Sequence, residues 1–216
     1  MQVRRHASQP IRFAGSELGE ERHICAFFDN VEEEYRVLLP FIQEGFERGD
    51  KAFHVVAPRL HEDHVQRLER VGIDVSSARI QGQLKLCDWE EAYLPDGRFD
   101  MHRMLEMWRN ELKHTPDEGF PMTRLVAHME WCREKRDGVS DLLRYEALFN
   151  DVPHRQHVVI CTYDLRKHPG DFIIDVMRTH PMIIMGGMLH KNPFFVPPDE
   201  FLRELESRSA PHLSVE

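Results

Sequence analysis

The sequence predicts an α/β layered fold: a mostly parallel β-sheet in a three-layer arrangement, flanked by helices on both faces. Three observations point there. Short apolar runs without helical period recur along the chain, as buried parallel strands require. Amphipathic segments separate them. The first strand–helix–strand unit spans residues 23–57, the length of a βα crossover that joins parallel neighbours.

Residues 1–20 are polar, carry Pro10, Gly15 and Gly19, and read as a flexible arm. His23–Phe28 is the first strand. Asp29 or Asn30 then caps a helix whose first turn holds Glu32, Glu33 and Glu34. Leu38, Leu39, Ile42 and Phe46 carry its helical spacing to Gly49-Asp50, with Pro40 expected in its first turns. Lys51–Ala57 is the next strand. Leu60–Val71 is a helix, Leu84–Cys87 a short strand, and Met101–Lys113 a helix with Met104, Leu105 and Trp108 on one face. The pattern continues through strand Leu125–Trp131, helix Val139–Phe149, strand His157–Tyr163, helix Phe172–Thr179, strand Met182–Met185 and a terminal helix from Pro198. No repeat or linker divides the chain. The 216 residues therefore read as a single domain over 21–204 with a short tail at 205–216.

Composition narrows the function. Thirty-seven acids against 28 bases give a formal charge of −9, which argues against direct nucleic-acid binding or attraction to an anionic membrane. The apolar stretch Pro181–Leu189 is far short of the roughly 20 residues of a membrane span. The N-terminus lacks the apolar core of a secretory signal, and the four cysteines form no CxxC pair. A cytoplasmic protein with reduced thiols is the expectation.

In open α/β sheets, ligands sit beyond the carboxyl ends of the strands. A phosphate-binding turn there needs glycines and a lysine. This turn reads Phe27-Phe28-Asp29-Asn30-Val31-Glu32-Glu33-Glu34, with no glycine, no lysine and four acids. The nucleotide site is degenerate. GxGxxG is absent too.

Other residues could carry chemistry. His23 and Cys25 alternate on the first strand and so share a face. Cys161 lies on the strand His157–Tyr163, His180 follows a helix, and His128 and Cys132 flank the end of another strand. If the strands are neighbours, His23, Cys25, Cys161 and His180 could converge at one sheet end on zinc or another transition metal. Otherwise the cysteines are small core residues. Glu130 at a strand end could orient a ligand or a water. Glu146 and Asn150 lie four apart on one helix face. Phe27, Trp131 and Tyr163 could line an apolar pocket for a small organic ligand, or simply close the core.

Three blocks carry a resemblance to a known family: HICAFFDNVEEEYRVLLPFIQEGFERGDKAFHVV at 23–56, GQLKLCDWEEAYLPDGRFD at 82–100, and CTYDLRKHPGDFIIDVMRTHPMIIMGGMLHKNPFFVPP at 161–198. Together they resemble the MEDS domain, the methanogen/methylotroph sensory domain named in part after a dichloromethane-responsive regulator. The likeness covers about residues 20–204. It implies a RecA/KaiC-like fold that has lost its nucleotide loop, and a prokaryotic sensor of small hydrocarbon derivatives. The positions it implies for the site are His23, Cys25, Tyr93, Trp131, Cys161, Tyr163, Asp164 and His180. With no output module in view, the expectation is a stand-alone, non-catalytic sensor that binds a small organic ligand. It would signal through a partner protein in trans or through a homo-oligomer. The alternative is an enzyme, metal-dependent or a repurposed NTPase, that uses the His/Cys set.

Overall fold

The computed structural model describes residues 10–152 and 156–209. Its centre is a seven-stranded sheet, entered through a small hairpin of β1 (Arg12–Phe13) and β2 (Ser16–Glu17). The chain then runs through β3 (His23–Phe28), α1 (Val31–Arg48), β4 (Lys51–Val56), α2 (His61–Arg70), α3 (Val75–Ile80), β5 (Leu84–Asp88), α4 (Trp89–Tyr93) and α5 (Met101–His114). It continues with β6 (Thr123–His128), α6 (Leu142–Phe149), β7 (Val158–Asp164), α7 (Gly170–Thr179), β8 (Met182–Met185), β9 (Met188–Lys191) and α8 (Pro198–Ser209). The strand order is β5-β4-β6-β7-β3-β8-β9, parallel throughout except for β9, which returns antiparallel along β8.

The predicted layers are present. β3, β4 and β6 are buried on both faces, which is why none of them shows the apolar–polar alternation of a half-exposed strand. One face, with Cys25, Phe27, Phe53, Val55, Cys161 and Tyr163, packs under α4, α5, α6 and α7. The other face, with Ile24, Ala26, Phe28, Val126 and Ile160, packs under α1, α2 and α3. Each strand residue thus belongs to one layer or the other by simple alternation.

Several expectations need correction. The segment read as a flexible arm is folded from Ile11 on. Ile11, Phe13 and Leu18 are buried, Phe13 lies 4.3 Å from the Phe41 ring, and the hairpin is tied to β9 by Leu189 N–H donating to Ala14 O. Those apolar residues were too few and too closely spaced for a periodicity signal; residues 1–9 lie outside the described region. The tail is also shorter than expected. α8 runs to Ser209, with Arg208 on both carboxylate oxygens of Asp175 at 2.8 Å. α1 begins at Val31 behind the Asn30 cap, as expected, but Pro40 sits in its interior rather than its first turns and removes one helical donor. β6 stops at His128, and Trp131 stands on a 3₁₀ turn, Glu130–Arg133. The antiparallel return β9 was not expected.

The face under α1 and α2 holds a buried polar chain. The Tyr35 hydroxyl lies 2.7 Å from His64 Nδ1, and His64 Nε2 lies 2.9 Å from His54 Nδ1. With the tyrosine donating, His64 carries its proton on Nε2 and donates to His54. Burial, with His128 nearby, lowers His54 from 6.5 to about 3; burial followed by His54 lowers His64 well below its usual value. Both rings are neutral in the fold but take up protons when the chain unfolds. Their contribution is therefore complete above pH 6.5 and declines as pH falls towards about 3. Urea denaturation across that range should show wild-type stability falling with acid, and His54→Leu should shallow the slope by about one proton. An unchanged slope would contradict the assignment.

Candidate functional site

Two places could carry function. At the carboxyl ends of the strands, the turn after β3 is built as a helix cap. The Asn30 side chain accepts from Glu33 N–H at 2.9 Å, and the Glu33 carboxylate accepts from Asp29 N–H at 2.8 Å. Glu34 faces His128 at 3.2 Å. The space left between this turn, Glu130, Thr162 and Asp164 is about 10 Å³, room for one water at most. The helix N-terminus that would receive a phosphate is thus occupied by carboxylates.

Glu130 joins an ion-pair lattice here. It accepts from Arg59 at 2.5 Å and from Lys167 at 2.6 Å, and Lys167 also pairs with Asp164 at 3.2 Å. Burial raises the Glu130 carboxyl, but the Lys167 and Arg59 hydrogen bonds overcome this and lower it. Beside it, an open cleft of about 490 Å³ runs past Ala57, Arg59, Trp89, Glu130, Arg133 and Glu134.

The expected aromatic wall lies elsewhere. Phe27, Tyr93, Trp131 and Tyr163 are all at most 1% exposed. Tyr93 stacks on Trp131 at 4.7 Å, Phe99 packs on the other partner of that pair at 4.7 Å, and Phe27 meets Tyr163 at 5.7 Å. These rings form core between the sheet and α4–α6. Trp89 is the large aromatic that reaches the cleft.

The second place is internal. His23 opens β3, Cys161 is central in β7, and β3 and β7 are paired neighbours with Cys25 opposite Cys161. His180 ends α7 just before β8. Leu142, Tyr145, Glu146 and Phe149 form the buried stripe of α6, so Glu146 occupies a core position of an amphipathic helix. These elements bring His23, Glu146, Cys161 and His180 together, with one donor atom from each within 4.8 Å of all the others. His23, Glu146 and His180 have no exposed surface and Cys161 is 5% exposed.

His23 Nε2 and His180 Nε2 lie 3.5 and 3.4 Å from Glu146 Oε2. The Cys161 sulfur is 3.9 Å from that oxygen and 3.9 Å from His23 Nε2. The Tyr163 hydroxyl donates to Glu146 Oε1 at 3.2 Å. Both rings are pinned from behind. Asn150 uses its amide nitrogen to donate to Thr179 O at 2.8 Å and Ala147 O at 3.0 Å, so its oxygen accepts from His23 Nδ1 at 3.1 Å. His180 Nδ1 donates to Val176 O at 2.9 Å. Both Nε2 atoms are therefore aimed at the carboxylate. Burial raises Glu146, but His180 and then His23 outweigh it and bring the carboxyl to about 2. Burial, reinforced by Glu146, raises Cys161.

Sequence reasoning had His23, Cys161 and His180 converging, and they do, although at the amino-terminal half of the sheet face and under α6 rather than at the carboxyl ends. Cys25 lies beside them with its sulfur 3.7 Å from Met182 O, and it is not among the four clustered donors. His128 points to the opposite layer, and Cys132 contacts His168 Nδ1 at 3.9 Å. Glu146 was missed as a member of the set. The available signal was an acid in the apolar stripe of a helix, four residues before Asn150.

Comparison with known proteins matches the sequence of this chain to a family. The model for MEDS, the methanogen/methylotroph, DcmR sensory domain, matches residues 22–181. The transcriptional repressor DcmR of Methylorubrum extorquens (strain DSM 6343 / CIP 106787 / DM4) is 26% identical over 170 residues, which cover 77% of this chain and 61% of that repressor. Among solved structures, the flagellar accessory protein FlaH from Methanocaldococcus jannaschii is similar with a TM-score of 0.50 and 11% identity, over 78% of this chain and 76% of that one. That likeness is one of fold, RecA-like α/β.

Tyr163→Phe leaves the ring in place and removes one donor to a buried carboxylate. It should cost about 1–3 kcal/mol in chemical denaturation. An unperturbed midpoint would show that Glu146 does not depend on that hydroxyl.

Proposed function

The chain belongs to the MEDS family of sensory domains, and from that premise we propose that it is a non-catalytic receptor for a small organic molecule. The observation that carries this reading is the first βα turn. A RecA-like sheet is retained, while the place where such folds hold phosphate is capped by Asn30 and Glu33 and reduced to about 10 Å³. The ligand would enter the neighbouring cleft. Its volume of about 490 Å³ suits a small molecule, and it offers one aromatic surface, Trp89, beside the Arg59–Glu130 pair. Binding there would couple to the Glu130–Lys167–Asp164 lattice, which links the turns after β6 and β7. A shift in that lattice is a change that a partner protein can read.

The repressor role belongs to the relative, and an output to a partner is proposed here by likeness. Among the described residues no helix is long and apolar enough to cross a membrane. A cytoplasmic location agrees with that and with four free cysteines.

A thermal-shift panel of short-chain alcohols, amines and chloroalkanes, run beside magnesium-ATP, tests the reading. At least one organic compound should stabilise the protein, by about 2.7 kcal/mol at 100 times its dissociation constant. Trp89→Ala should abolish that response while circular dichroism stays unchanged. Stabilisation by magnesium-ATP, or an organic response that survives Trp89→Ala, would overturn it.

A further inference from the structure

We propose that His23, Glu146, Cys161 and His180 form a closed zinc(II) site that clasps the α6–α7 layer to the central sheet. The site is distinct from the cleft, and neither proposal depends on the other. Four ligands about 2.0–2.3 Å from a tetrahedral centre lie about 3.3–3.8 Å from one another. Two of the closest contacts here, at 3.4 and 3.5 Å, have that spacing, and two more, at 3.9 Å, fall just beyond it before any metal draws them in.

The donor set is selective. Two imidazoles, one thiol and one carboxylate suit a borderline-soft divalent ion, whereas calcium and magnesium take oxygen. The tautomers are set as a metal needs. With Nδ1 protonated against Asn150 Oδ1 and Val176 O, each ring turns Nε2 to the centre. Tyr163 steadies the carboxylate through its other oxygen.

The charge balance fits as well: the Glu146 carboxylate is closed off from water, with His180 Nε2 at 3.4 Å, His23 Nε2 at 3.5 Å and the Cys161 sulfur at 3.9 Å around one of its oxygens. A zinc ion bound to a thiolate and a carboxylate brings the centre to zero net charge. On binding, the Cys161 S–H bond breaks, its proton leaves to water, and the Zn–S bond forms; no electrons are transferred. All four positions are filled by protein and the site is buried, as in structural zinc sites.

The ligands come from the start of β3, the middle of β7, the buried stripe of α6 and the end of α7. The ion would thus tie segments 23, 146, 161 and 180 into one unit. Cys25 is the built-in control, since it neighbours Cys161 in the sheet but turns its sulfur to Met182 O.

Elemental analysis of the purified chain should find one zinc per polypeptide. After chelation, cobalt(II) should restore a tetrahedral visible spectrum with a thiolate-to-cobalt charge-transfer band. Cys25→Ser should keep both. Cys161→Ser should lose the charge-transfer band, and His180→Asn should weaken cobalt binding by more than about 100-fold, because loss of a ligand exceeds loss of a ligand's support. Failure of the wild-type chain to take up cobalt, or a cobalt spectrum without a thiolate band, would overturn the proposal without recourse to any variant. So would Cys161→Ser or His180→Asn binding cobalt as wild type does.

Discussion

A carboxylate sealed from water is the constraint around which this domain is arranged. Glu146 sits in the apolar stripe of α6, and the ordinary cost of burying such a charge without partners is several kcal/mol. The fold meets that cost by aiming two imidazoles, a thiol and a phenol at its two oxygens. Each of those groups needs support of its own. His23 leans on Asn150, one turn beyond Glu146 on the same segment; Asn150 in turn holds Thr179 O, which places His180 beside the carboxylate. The polar network thereby fixes the position of α6 and α7 over β3 and β7, something apolar contacts alone do without specifying register.

The same sheet treats its two ends differently. At the carboxyl ends, where α/β folds usually bind ligands, charge is used on the surface. The Asn30 cap and the lattice of Arg59, Glu130, Asp164 and Lys167 close the first turn and leave the cleft beside Trp89. At the amino-terminal half of the α6 face, charge is used in the interior and converges on one point. A sensory domain gains from that division. The interior centre holds the layers, and the surface lattice, being solvated and built of long side chains, can rearrange at low cost.

Much of the architecture was legible because parallel strands buried on both faces write themselves as continuous apolar runs. His23–Phe28 and Met182–Met185 were read to the residue, and Lys51–Val56 was read with one residue beyond its end. The hairpin at Arg12–Glu17 was not legible, since strands of two residues have no period and Ile11, Phe13 and Leu18 look like isolated apolar residues. For Trp131, at a strand end, the sequence left a pocket wall and the core both open; the 3₁₀ turn after β6 folds it inward against Tyr93. For the internal centre, alternation placed His23 on the correct face, and neighbouring strands did bring Cys161 to it. What linear spacing cannot convey is the helix layer. Whether the buried stripe of α6 or its exposed side carries Glu146 depends on the rotation of the helix over the sheet, which Leu142, Tyr145 and Phe149 set through packing.

Both rings are pinned through Nδ1, so that both Nε2 atoms converge on Glu146. The most direct measurement is long-range ¹H–¹⁵N correlation of the His23 and His180 side chains in the folded chain. Nδ1 should be protonated in both rings, with Nε2 turned to Glu146. An unprotonated Nδ1 in either ring would mean that Asn150 or Val176 does not hold it, and that the two rings are not fixed around Glu146 in this way.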